Sequence, residues 1–226
     1  MPAGYFITGT DTGVGKTLIA AAFMRQQAGL GRRVAGMKPV ASGCDMTAAG
    51  LRNDDALLLE RQATRRHPYA LVNPYAFAPA IAPHLAAQEA GVTIEVARLI
   101  EAYQELARDA DTVVVEGAGG WRVPLGQAGA LSDFPEALRL DVILVVGLRL
   151  GCLNHALLTC EAIAAGGKSR LVGWVGNGID PAFAPIEGNL ETLRQRIPAP
   201  CLGIVPPLAE ASVEAACTRL QPPSQP

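Results

Sequence analysis

Six short apolar runs, at residues 5–8, 33–37, 112–115, 141–146, 171–175 and 201–205, are bounded by turn residues, and each reads as a buried strand. Between them lie stretches at 16–27, 54–62, 94–108, 134–138, 154–165 and 186–196, in which apolar residues recur at the three- and four-residue intervals of a helix face. Strand and helix therefore alternate almost throughout. That order predicts βαβ units, hence an α/β fold with a mostly parallel sheet flanked by helices, whose ligands bind beyond the carboxyl ends of the strands. At 226 residues the chain is long enough for one such domain with a sizeable core. We expect a single domain over residues 1–220 and a disordered tail from Gln221, where the sequence becomes QPPSQP.

The alternation lapses between His67 and Gly91, where Pro68, Pro74, Pro79 and Pro83 remove backbone donors and fix turns. A linker would be polar. This stretch keeps Tyr69, Leu71, Val72, Tyr75, Phe77, Ile81 and Leu85, so it is expected to pack on the domain or on a partner subunit.

A formal net charge of -2 and a pI near 5.9 leave no basic surplus, which argues against a general nucleic-acid or anionic-membrane surface and for small partners. The five cysteines, Cys44, Cys152, Cys160, Cys201 and Cys217, are scattered and never paired as CxxC, so reduced cytoplasmic thiols are expected, with neither a disulfide framework nor a zinc site. The opening Met-Pro-Ala-Gly runs straight into a strand-like segment, so neither a charged leader nor a signal peptide is expected, and no apolar stretch reaches transmembrane length.

Directly after the first strand, and opening the first helix, stands Gly9-Thr10-Asp11-Thr12-Gly13-Val14-Gly15-Lys16-Thr17. It reads as a phosphate-binding loop: glycines let backbone N–H groups turn toward phosphate oxygens, the helix start adds positive potential, Lys16 reaches the β- and γ-phosphates, and Thr17 offers a hydroxyl to Mg²⁺. The usual spacing places a glycine six residues before the lysine; here that position is Thr10 and Gly9 lies one step earlier. The bland alternative is a Gly-rich turn that merely joins strand to helix.

Such a loop needs acidic metal partners at neighbouring strand ends. Glu116 ends the run TVVV, where a glutamate taken alone is more often a solvated group or a cap; the following Gly117-Ala118-Gly119-Gly120 shifts the balance, so its carboxylate is expected at the same sheet edge, as a ligand of Mg²⁺ or of a metal-bound water. Lys38 ends the second strand, where it either neutralises charge on a transferred phosphoryl group or snorkels to the surface. Asp54 and Asp55 open a helix, Asp54 read as the cap and Asp55 either facing a metal or capping as well. Gly151-Cys152-Leu153-Asn154 begins another helix, whose orphan N–H groups suit a carboxylate, while His155 has no partner at metal-ligand spacing and reads as structural.

Taken together, FITGTDTGVGKT, GMKPVASGC, GLRNDDALLL, VNPYAFAP, VVVEGAGGWRVPL, VILVVGLRLGCLNHALLT and GWVGN resemble the dethiobiotin synthetase family in order and spacing, over roughly residues 5 to 208. The resemblance implies a fold of the phosphate-loop NTPase type and a ligase of biotin synthesis. In that reaction 7,8-diaminononanoate takes up CO₂ as a carbamate, ATP phosphorylates it, and the second amine closes a ureido ring. It further implies that Gly13, Val14, Gly15, Lys16 and Thr17 hold the nucleotide phosphates and Mg²⁺, that Asp55 and Glu116 complete the metal environment, and that Gly117, Ala118 and Gly119 line the nucleotide. Lys38 and Ser42 match the substrate-side pair, with Thr12 in the same site and Lys16, Lys38 and Thr12 as the catalytic set. Residues Gly151, Cys152, Leu153 and Asn154 match the helix start that receives the substrate carboxylate from the opposite subunit of a homodimer, and Asn177 and Pro206 match positions near the adenine. Two rivals share the fold. A partitioning or site-positioning ATPase would carry a signature lysine where this chain has Asp11, and an amidotransferase of cobalamin synthesis would need a glutaminase domain for which 226 residues leave no room.

Overall fold

The computed structural model describes residues 2–183, 186–207 and 212–223. The chain begins with β1 (Ala3–Gly9), α1 (Lys16–Gly29) and β2 (Val34–Met37), then makes three short strands, β3 (Val40–Ser42), β4 (Asp45–Thr47) and β5 (Gly50–Arg52). It continues through α2 (Asp54–Gln62), α3 (Tyr69–Val72), β6 (Tyr75–Phe77), α4 (Pro83–Glu89), α5 (Val96–Ala107), β7 (Thr112–Glu116), α6 (Asp133–Leu138) and β8 (Asp141–Leu148). The last part carries α7 (Cys152–Gly166), β9 (Arg170–Gly178), α8 (Ile186–Arg196), β10 (Cys201–Val205) and α9 (Val213–Cys217).

All six expected strands pair in one sheet of order β10-β9-β8-β1-β7-β2, every ladder parallel. Their continuous apolar runs follow from burial on both faces. Phe6, Ala35, Met37, Val113, Val115 and Val142 point to the side covered by α5 and α6, with Leu99, Leu106 and Phe134 among them. The alternate residues Tyr5, Ile7, Val34, Val114, Ile143, Val145 and Val175 point to the other side, covered by α1, α2 and α9. Over β8 and β9, α7 and α8 close around Trp174.

The proline-rich stretch divides. Val72, Tyr75 and Phe77 are buried in the domain, and β6 pairs parallel with β3, so the expected packing is internal here; Ile81 and Leu85 remain exposed. The antiparallel pair β4–β5 and the ladder β3–β6 were outside the expected elements, because strands of three residues are too short to show a period. The tail expected to be disordered begins in contact with the fold: Gln221 donates its N–H to Leu202 O at 2.7 Å and Pro223 is buried. Its residues 224–226 lie outside the described residues. The five cysteines are free thiols, and among the described residues no helix is long and apolar enough to cross a membrane.

Phe134 has no exposed surface and meets Phe6 and Tyr103 edge-on, at 6.5 and 6.3 Å between ring centroids. Phe134→Ala is expected to lower the unfolding free energy by about 3–5 kcal/mol, through lost transfer energy and a residual cavity. Urea denaturation checks this, with a lower midpoint at unchanged slope.

Candidate active site

The loop after β1 is held from three sides. Gly15, at φ 86°, caps α1 in the left-handed region, and a Cβ there would collide with the Asn177 side-chain amide. Asn177 itself donates Nδ2–H to Val14 O at 2.9 Å, locking the loop to the end of β9. On the β8 side, Thr10 N–H donates to Val145 O at 2.9 Å, and the Asp11 carboxylate pairs with the Arg149 guanidinium. The remaining oxygen of Asp11 accepts Thr12 N–H at 2.7 Å, and this bond, with Arg149, holds its carboxyl below the usual range against the opposing effect of burial. No side chain caps α1, so its first N–H groups face the loop interior, and Lys16 Nζ lies across it, donating to Asp11 O at 2.8 Å.

Strand register places the charged groups. Met37 pairs with Val115, so Lys38 stands abreast of Glu116, which is itself opposite Ile7 of the loop-bearing strand. Lys38 Nζ donates to Glu116 Oε1 at 2.6 Å and to Asp55 Oδ2 at 3.0 Å, and Thr17 donates its hydroxyl to the same Glu116 oxygen at 2.8 Å. Lys38 and Glu116 are buried, whereas the Asp55 side chain is 41% exposed. Burial works against the Lys38 ammonium, but Glu116 and Asp55 outweigh it and hold its pKa above that of a free lysine. Burial also pushes the Glu116 carboxyl up, opposed by Lys38; Asp55, less deeply placed, is held below the usual range by Lys38 despite burial. Glu116 Oε2 is buried and finds no hydrogen-bond partner among the described residues.

One cleft of about 850 Å³ gathers much of the expected site: Thr12, Gly13, Gly15, Lys16, Thr17, Lys38, Ser42, Asp55, Glu116, Ala118 and Gly119 all line it. Asn177 braces the loop from outside through the carbonyl of buried Val14, and exposed Pro206 follows Val205, the residue paired with Asn177. Gly117 sits behind the wall, where a Cβ would meet the Phe6 ring at 2.9 Å. Residues Gly151, Cys152, Leu153 and Asn154 start α7 away from the cleft lining. Lys38 is no surface lysine and Glu116 no solvated end. The cap of α2 is Asn53, whose side chain accepts Ala56 N–H at 3.2 Å, not Asp54. Asn and Asp cap equally well, so composition alone could not place it. Ile81, Val123 and Pro124, which give the cleft an apolar side, and the Arg149 contact to the loop carried no local signal in the sequence.

Residues 3–215 match a family model described as an AAA domain. The chain is 58% identical to the ATP-dependent dethiobiotin synthetase BioD of Pseudomonas aeruginosa (strain LESB58), over 97% of this chain and 96% of that one. It belongs to the ATP-dependent dethiobiotin synthetase family. The homologous enzyme of Cellvibrio japonicus is 50% identical over 96% of this chain and 94% of its own length. Membership in the dethiobiotin synthetase family makes the chain an ATP-dependent ligase. Among solved structures, a ParA family ATPase from Chlorobium tepidum TLS (TM-score 0.59, 97% of this chain and 91% of that one) and the MinC:MinD cell division complex of Aquifex aeolicus (TM-score 0.57, 96% and 85%) are similar at 18% identity, which shows the fold alone.

The donor set fits Mg²⁺. A hydroxyl from Thr17, the unpaired Glu116 oxygen and the half-exposed Asp55 carboxylate offer hard oxygen ligands beside the loop, and this ion uses one or two carboxylates together with phosphates. Among the described residues there is no group of three or more His, Cys, Asp or Glu side chains that would form a protein-only cage.

Burial, with Lys38 nearby, pushes the Lys16 ammonium down to about 8. Below that pH Lys16 keeps its proton with or without nucleotide. Above it the empty site has lost the proton, while a bound polyphosphate favours the charged form, so binding takes one up. ATP affinity is therefore expected to be level below about pH 8 and to fall above it by up to about tenfold per pH unit. Calorimetry near pH 9 in two buffers of different ionisation heat measures the proton; equal heats would contradict this account.

Proposed function

We propose that the chain makes dethiobiotin from 7,8-diaminononanoate, CO₂ and ATP in biotin synthesis, as a homodimer using Mg²⁺. The observation that carries the reading is the Lys38 ammonium held between Glu116 and Asp55 beside the phosphate loop, with the second Glu116 oxygen buried and without a partner among the described residues. Mg²⁺ at Thr17, Asp55 and Glu116 would neutralise charge on the β- and γ-phosphates when bound.

The sequence of bonds follows from the substrates. An unprotonated amine attacks CO₂ and loses a proton, giving a carbamate. A carbamate oxygen then attacks the γ-phosphorus as the bond to the β–γ bridging oxygen breaks, and ADP leaves. The second amine attacks the carbonyl of the mixed anhydride, phosphate departs and the ring closes with loss of a proton. Lys38 is the group that offsets the carbamate and γ-phosphoryl charge, and the buried, unpartnered Ser42 hydroxyl is free to donate to the carbamate. Lys16 leaves Asp11 O for the γ-phosphate, and Thr12 lines the same site beside it. Asn177 and Pro206 flank the adenine, next to the loop they border.

Shared sites account for residues 151–154. They lie outside their own chain's cleft, yet they form a helix start with Leu150 90% exposed beside it and Leu158 55% exposed along it, an apolar surface suited to a second copy. Each α7 N-terminus would then receive the substrate carboxylate of its partner.

Incubation with diaminononanoate, bicarbonate, Mg²⁺ and ATP, followed by mass spectrometry, is expected to give the cyclised product. ADP release that appears only with DNA or lipid and yields no urea would overturn the reading. Lys16→Gln is expected to abolish turnover, by at least about 10³-fold, since the loop loses the charge that polarises the transferred group. Mixing that variant with an inactive variant of the 151–154 loop is expected to restore part of the activity through hybrid dimers; no recovery despite subunit exchange would count against shared sites.

A further inference from the structure

Lys38 and Asp55 are 17 residues apart, and the chain between them runs through the β4–β5 hairpin, whose first strand is fully exposed. That path cannot by itself fix a 3.0 Å contact between the two side chains. A second connection does. Lys38 donates its backbone N–H to Val72 O at 2.7 Å, and its carbonyl accepts Asn73 Nδ2–H at 2.7 Å, so both backbone groups of the lysine are clamped by the segment ending α3. The other Nδ2 hydrogen of Asn73 goes to Tyr75 O at 3.1 Å, and its Oδ1 accepts the Tyr69 hydroxyl at 3.1 Å. The Tyr69 oxygen in turn accepts the backbone N–H of Asn53 at 2.9 Å, and Asn53 caps the helix on which Asp55 is the second residue.

Every polar atom of the buried Asn73 side chain is thereby used, and its amide has only one orientation that satisfies all three partners. The Arg52 guanidinium stacks over the Tyr69 ring, 4.1 Å from its centroid, which fixes the ring beside Asn53. Neither residue touches the cleft.

We propose that Tyr69 and Asn73 are positioning residues that set the spacing between Lys38 and Asp55, through the hydrogen-bonded path from the Lys38 carbonyl to the N-cap of α2. The inference rests on the reading that these two side chains serve the transfer of the γ-phosphoryl group. A misplacement of about 1 Å at such a site costs up to about 100-fold in rate.

Tyr69→Phe removes only that hydroxyl and keeps the ring under Arg52. It is expected to lower kcat for ADP release roughly 10- to 100-fold with KM for ATP within about twofold, since the loop that binds the polyphosphate is untouched. The melting temperature should fall by only about 2–4 °C. Leu71→Ala, in the same helix and packed against the core without a bond to Lys38 or Asn53, serves as the comparison: it is expected to lose at least as much thermal stability and keep kcat within about twofold. A Tyr69→Phe enzyme with kcat within twofold of the parent overturns the proposal, and so does an equal loss of kcat in Leu71→Ala. Because the readout is a ratio of ADP release rates, a parent enzyme that releases ADP without a cyclised product removes the functional reading while the positioning role is still decided.

Discussion

The buried ion pair between Lys38 and Glu116 is the contact around which the site is arranged. Two opposite charges taken out of water lose hydration worth several kcal/mol each, and their attraction offsets this only when geometry and further hydrogen bonds are right. Here the geometry is supplied by the sheet. Adjacent parallel strands in fixed register bring residues 38 and 116 level, and the donors of Lys38 and Thr17 converge on one carboxylate oxygen. Removing Lys38 would leave the buried Glu116 carboxylate uncompensated, a loss of about 3–5 kcal/mol, whereas without Glu116 the ammonium would still have Asp55. The pair thus ties the integrity of the β2–β7 edge to the groups that face the cleft.

The phosphate loop is braced by residues distant in sequence. With its glycine shifted to residue 9, the loop places Thr10 and Asp11 where they contact β8, and Thr10, Asp11 and Val14 are each bonded to a different group of β8, Arg149 or β9. Left-handed Gly15 could adopt other conformations freely in an unfolded chain. Bracing from β8 and β9 is what makes its one conformation dominant, so nucleotide binding need not order the loop at its own expense.

The central sheet was legible because burial on both faces writes strands as unbroken apolar runs, and the phosphate loop because its glycines and Lys16 must be local to one another. Glu116 was legible as a strand end followed by glycines. Lys38 was not decidable, since the surface and buried readings differ only in neighbours 17 and 78 residues away. The α2 cap was misplaced by one residue, Asn53 for Asp54, because the choice depends on which side chain meets Ala56 N–H. Nothing local marks Arg149 as the partner of Asp11, 138 residues distant, nor Tyr69 as the acceptor of Asn53 N–H. Contacts fixed by topology are visible in sequence only once the topology is known.

The cleft is built from two kinds of structure, and the division has a chemical logic. Its charged floor comes from β2, β7, the loop after β1 and the first turn of α2, elements whose spacing is held by ladders and the buried pair. Its apolar side comes from Ala80, Ile81, Val123 and Pro124, on irregular segments outside the central sheet. Phosphoryl transfer tolerates little error in the position of charges, whereas an alkyl chain is recognised by non-directional contact that many wall shapes supply. In the proposed reaction the strand ends would hold the reacting groups, and the apolar side would meet the aliphatic part of the substrate.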